Sequence, residues 1–197
     1  MRTRALAVLT AALLVLGVTA GVATAGAAAA REVTLHDARG DMWQLHFSGG
    51  TDPAPGTRVG DVRRARFTHG LRRIVVRQRY VDLRRTGAYW LYTVRLQNGS
   101  RIYREVELHA GPGSWQGGTA VFNRRGDRVA CRVGHRIDYR RNLVVLAVPR
   151  RCLGNPHRVR ASAASSWAQR RRQVFLTDNP HNRRAGVHTW TRWLRAG

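Results

Sequence analysis

Hydrophobic residues recur at every second position along most of this chain. Trp90, Tyr92, Val94 and Leu96 alternate with Leu91, Thr93 and Arg95, the period of a strand with one face buried. Asn98-Gly99 follows, and then Ile102, Val106 and Leu108 alternate with Tyr103, Glu105 and Glu107. Asn-Gly between two alternating runs predicts a hairpin, because both turn residues accept positive φ. Asn98-Gly99-Ser100 also has the form of a glycosylation acceptor, and the plain turn is the preferred reading. The same logic predicts strands over 42–47, 62–67, 74–81, 119–122, 128–133, 137–139, 159–164 and 187–194. Turns fall around His69-Gly70 and over 123–127. Residues 143–148 are apolar at every position, which predicts a central strand covered on both faces and closed by Pro149. Only 165–172 suggests a helical turn or two. Glycine and proline place loops at 49–56 and 111–118. The expectation is an all-β chain, an antiparallel β-sandwich of about nine short strands, forming one domain over 31–197.

The start of the chain breaks this pattern. Arg2 and Arg4 precede an apolar run over 5–18, and a small-residue stretch over 21–30 follows. That layout predicts a secretory signal peptide at 1–30, cleaved after Ala25 or Ala30. The rival, an uncleaved anchor, would need 5–30 to span about 30 Å of hydrocarbon, and its second half is too weakly hydrophobic. The arginines are not adjacent, and no cysteine stands near the exit, so neither a twin-arginine route nor a lipid anchor is expected. The product is expected outside the cell or associated with its wall.

Export changes the meaning of the two cysteines. Cys131 and Cys152 lack Cys-x-x-Cys spacing, and in an oxidising compartment they are expected to form one structural disulfide. Two thiols alone would leave a zinc shell half empty.

Charge narrows the partners. The chain has 35 Lys+Arg against 11 Asp+Glu, a formal +24, and every cation is arginine. An arginine-only balance is also what a GC-rich genome would produce. Whatever its origin, such a body attracts polyanions over a Debye length of about 8 Å, and arginine forks onto phosphate or carboxylate in bidentate fashion. The pairs Arg124-Arg125, Arg140-Arg141 and Arg150-Arg151 fall at predicted strand ends, where a sandwich would gather them at its two ends. They are the candidate polyanion contacts. Trp115, Trp190 and Trp193, with Tyr89 and Tyr103, are candidate stacking surfaces, although a tryptophan placed like Trp115 more often plugs an open end of the sandwich.

Candidate catalytic chemistry is sparse. The segment 111–118 lacks the Gly-Lys-Ser/Thr of a phosphate loop, and Pro112 stands where a nucleophile elbow needs glycine. Eight histidines are scattered singly, with no spacing that presents a metal pair. Asp37 and Asp41 flank Arg39-Gly40. Two carboxylates are too few for a calcium loop, could serve as a glycosidase pair, and read most simply as a turn before the strand at 42–47. No metal and no cofactor are expected.

The run Val148-Pro149-Arg150-Arg151-Cys152-Leu153-Gly154-Asn155-Pro156 with Val159-Arg160, the opening Asp37-Ala38-Arg39-Gly40-Asp41-Met42-Trp43, and residues 61–83 resemble segments of small uncharacterised secreted proteins of high-GC Gram-positive bacteria. The strand order loosely resembles family-nine carbohydrate-binding and DOMON-type modules. The first resemblance implies secretion and the second a sandwich; neither implies an activity. The functional expectation is a non-catalytic secreted protein that associates with anionic cell-wall polymer or polysaccharide through arginine-rich loops, with no specific nucleic acid and no membrane anchor after cleavage. The alternatives are a secreted hydrolase with dispersed acid or histidine residues, and a structural subunit of an envelope assembly.

Overall fold

Alternation of side chains sorts the chain into two antiparallel sheets. The computed structural model describes residues 31–46, 49–169, 174–181 and 189–197, so the expected signal peptide at 1–30 lies outside the described residues. Thirteen strands are present among the described residues: β1 (Arg31–His36), β2 (Trp43–Leu45), β3 (Thr51–Pro53), β4 (Val62–His69), β5 (Arg73–Tyr80), β6 (Tyr89–Asn98), β7 (Tyr103–Gly111), β8 (Ser114–Phe122), β9 (Gly134–Asp138), β10 (Leu143–Pro149), β11 (Arg158–Ala168), β12 (Phe175–Asp178) and β13 (Leu194–Arg195). The smaller sheet runs β1-β4-β5-β10-β9. The larger runs β3-β2-β12-β11-β6-β7-β8, with β13 paired to β11.

The inward residues of both sheets meet in one core. Phe67, Ile74, Val76, Leu146 and Val148 come from the smaller sheet, and Tyr92, Val94, Leu96, Val106, Leu108 and Val159 from the larger. An aromatic column stands at one end. The Trp90 ring stacks on Tyr92 and Trp167, each at 5.8 Å between centroids, and Tyr80 meets Trp90 edge-on. Gly60 makes room for it, because a Cβ there would lie 3.0 Å from two Trp90 ring atoms, and its φ of +88° already favours glycine.

The all-β sandwich and the disulfide are both present. Cys131 and Cys152 are bonded, tying the segment after β8 to the 3-10 helix Arg150–Leu153 that follows β10. Several local expectations are corrected. Residues 165–168 continue β11 rather than starting a helix, because Trp167 faces the core against Trp90. Residues 128–133 are not a strand: one bridge, Phe122 to Arg128, and the amide of Val129 on Val121 O are their ladder contacts. The β6–β7 connection is longer than two residues, with positive φ at Arg101 and not at Asn98 or Gly99. Asn98 is buried; its Nδ2 donates to Leu153 O and its Oδ1 accepts from the Ile102 amide, which leaves no room for a glycan. Residues 111–118 form a tight hairpin instead of a loop, with Pro112-Gly113 as its turn and β8 starting at Ser114. Gly113 has φ +82°, the pattern of a type II turn. Strand β10 lies between β5 and β9, as an inner strand should, but Val145 and Ala147 on its outer face are only half-buried.

Candidate functional site

Two clusters of chemistry-bearing side chains stand out. The first lies on the outer face of the larger sheet. Strand alternation turns Arg158 and Arg160 of β11, Gln97 of β6 and Tyr103 of β7 to that face, while Val159, Leu96 and Val106 point inward. The segment after residue 188 lies along the free edge of β11. The Thr191 amide donates to Ala161 O at 2.8 Å, Thr191 Oγ1 accepts from the Ala161 amide at 3.0 Å, and β13 pairs with Arg158 and Val159. These bonds deliver Trp190 and Trp193 to the same surface.

There, cations and rings alternate. Arg158 lies 4.9 Å over Trp193, and Arg160 lies 5.3 Å from Trp193 and 4.9 Å from Trp190. Trp190 meets Tyr103 edge-on at 6.3 Å, and Arg124 sits 5.6 Å over Tyr103. Arg160 is steered by Gln97, whose Oε1 accepts from its Nε and Nη2 at 3.0 and 2.6 Å. Tyr103 Oη donates to Glu105, which also takes the Nε of Arg95. Burial, with that hydrogen bond, holds the Tyr103 phenol above its ordinary range, so the ring presents an O–H. Trp193 is 39% exposed and Arg158 and Arg124 are exposed.

The other expected contacts are placed elsewhere. Arg125 is exposed in the same turn as Arg124. Arg140 and Arg141 lie in the β9–β10 turn at the opposite end of the sandwich, where Arg141 shares a depression with His36, Arg63, Arg64 and Arg79. Arg150 works inside the fold: its guanidinium donates to the carbonyls of Leu71, Asn155 and Pro156. Arg151 beside it is exposed. Trp115 faces inward near the far end of β8, edge-on to Tyr139 at 6.2 Å, and its carbonyl accepts the Tyr139 hydroxyl. It is a core plug separated from Trp190 and Trp193. Arg170, Arg171, Arg172, Arg183, Arg184 and His188 lie outside the described residues.

The second cluster is acidic. The turn between β1 and β2 supplies Asp37 and Asp41, and the end of β12 supplies Asp178; one oxygen from each lies within 4.8 Å of the others. Asp61, immediately before β4, joins them. Its Oδ2 accepts the amide of Gly40, the residue before Asp41, at 2.8 Å. Asp178 Oδ2 accepts the Val62 amide at 2.6 Å, bonding the larger sheet to the smaller. Among the described residues, no arginine or histidine forms an ion pair with Asp37, Asp61 or Asp178. Burial, compounded by the neighbouring carboxylates, pushes Asp37 up to about 8 and Asp178 up to about 7. Asp61 is raised for the same first reason, against the pull of the Gly40 amide and of Arg39 and Arg63.

No family model, curated protein or solved structure matches this chain.

Both clusters combine what the sequence offered with what it concealed. Trp190, Trp193 and Arg124 are candidates that the structure brings together. Arg158 and Arg160 belong to no adjacent arginine pair, and the predicted strand at 159–164 leaves Arg158 out. Their i, i+2 spacing on the longer observed strand puts both cations on one face. Asp61 and Asp178 had no local signal, since only the pairing of β12 with β2 and β11 brings residue 178 to the Asp37 turn.

Proposed function

We propose that this protein is a secreted, non-catalytic binder of anionic cell-wall polymer or polysaccharide. The observation that carries this reading is the ladder Arg124–Tyr103–Trp190–Arg160–Trp193–Arg158 on one exposed sheet face. Its guanidinium groups match carboxylate or phosphate. Its rings hold those guanidinium groups in place through cation–π contact. The formal charge of +24 adds a long-range pull that concentrates a polyanion near the face.

The test is retention on isolated cell walls across a salt series. Retention should fall as salt rises, and Arg158→Ala with Arg160→Ala should lower it at every salt concentration while leaving the fold intact. Retention insensitive to salt, or unchanged in the double variant, would contradict the proposal.

The rival reading is a hydrolase built on Asp37 and Asp41, favoured by their approach to Asp178. It requires release of new reducing ends from the same walls, lost in Asp37→Asn.

A further inference from the structure

We propose that Asp37, Asp41, Asp61 and Asp178 form a binding site for one divalent cation of the hard, oxygen-preferring class, with calcium as its natural occupant. The site is distinct from the arginine–aromatic face and does not depend on what that face binds.

Three carboxylates presenting oxygens within 4.8 Å of one another span the separation that ligands 2.3–2.6 Å from a shared calcium adopt. A second observation comes from Asp61, which is outside that trio. It is 1% exposed, so its carboxylate has been taken out of water. The Gly40 amide occupies its Oδ2, while its Oδ1 is buried with no hydrogen-bond partner among the described residues. That bond holds the carboxylate against the 37–41 turn, and Asp61 interacts through charge with Asp37, Asp41 and Asp178 alike. Asp37 Oδ2 is likewise buried without a hydrogen-bond partner among the described residues. An ionised carboxylate held this way is costly unless a cation or a proton compensates it.

The donor set selects the ion. All four groups are carboxylates, and among the described residues neither imidazole nor thiolate joins the cluster, so zinc and copper are disfavoured relative to calcium, magnesium or manganese. Two ligands come from a turn closed at Gly40, whose φ is +73°, one precedes β4 and one ends β12. A site assembled from separate elements adjusts its ligand distances more readily than the tight octahedron of magnesium permits. Asp61 and Asp178 form the floor.

The experiment is calorimetric titration of the chelator-treated full chain with calcium chloride, alongside thermal melts with and without calcium. The expected result is one ion per chain, a Tm that rises with calcium, and weaker binding to magnesium. Asp37→Asn and Asp61→Asn should each weaken calcium binding by about tenfold or more. The second variant is chosen because an asparagine oxygen can still accept the Gly40 amide, so the turn should keep its shape; far-UV circular dichroism checks both. Absence of heat and of a Tm shift up to about 10 mM calcium, beyond the 10⁻⁴–10⁻³ M range of extracellular calcium modules, would overturn the proposal. So would binding that both variants leave unchanged.

Discussion

At Asp37 and Asp178 the side chain itself carries a pH dependence. Both acids are held above the ordinary carboxylate value of 3.8, one up to about 8 and the other up to about 7. Between those limits the folded chain binds more protons than the unfolded one, so stability falls as pH rises. In chelator, the denaturant midpoint should therefore be lower at about pH 9 than at about pH 5, and Asp37→Asn should remove much of that difference. Buried His69, whose Nδ1 faces Leu194 O, is lowered from 6.5 by burial and acts in the opposite sense, losing stability as pH falls below 6.5. A midpoint that rises steadily from pH 5 to 9 would refute the acid assignment. Gly60 gives a second test at this scale. Gly60→Ala would place a methyl 3.0 Å from the Trp90 ring at φ +88°, and should cost about 1–3 kcal/mol in urea unfolding.

Among the elements, the disulfide has the clearest consequence. The segment at 128–133 has almost no ladder of its own, so Cys131–Cys152 is what fastens it to the 3-10 helix after β10. Removing the bridge with Cys131→Ser and Cys152→Ser should lower stability by about 3 kcal/mol for a loop of this length, measured by chemical denaturation. Legibility also varied by element. Strands β6, β7 and β10 were readable because each is long and its inward positions are large and apolar. Val129, Cys131 and Val133 imitate that pattern, yet they turn inward because the disulfide and the core draw them there. The Ser-Ser-Trp-Ala stretch of β11 has no strong period, and its extended form is imposed by Trp90 and by β12. Strands β1, β3 and β12 are three to six residues long at or near sheet edges. Too few positions face the core there to leave a periodic trace.

Over the whole molecule, charge is spread unevenly in function although it is dense everywhere. Arg66 pairs with Glu32, Arg84 with Asp82 and Arg95 with Glu105, and Arg150 serves backbone carbonyls. Other cations stand both beside rings, as Arg124, Arg158 and Arg160 do, and around the depression lined by Arg63, Arg64, Arg79 and Arg141. Each arginine that neutralises a polymer charge should steepen the fall of binding with salt. Removing Arg158 and Arg160 together should accordingly flatten a plot of log affinity against log salt, whereas Arg140→Ala with Arg141→Ala at the far end should shift it far less. Equal effects from the two pairs would show that total charge, and not the aromatic face, governs attachment.

The bond from the Val62 amide to Asp178 joins strands of opposite sheets at a buried corner. Deuterium exchange at that single amide is thus a gauge of how often the two layers part. Its protection should tighten when a metal ion compensates the carboxylates beside it, which makes one peptide N–H a reporter for the acid pocket in the intact protein.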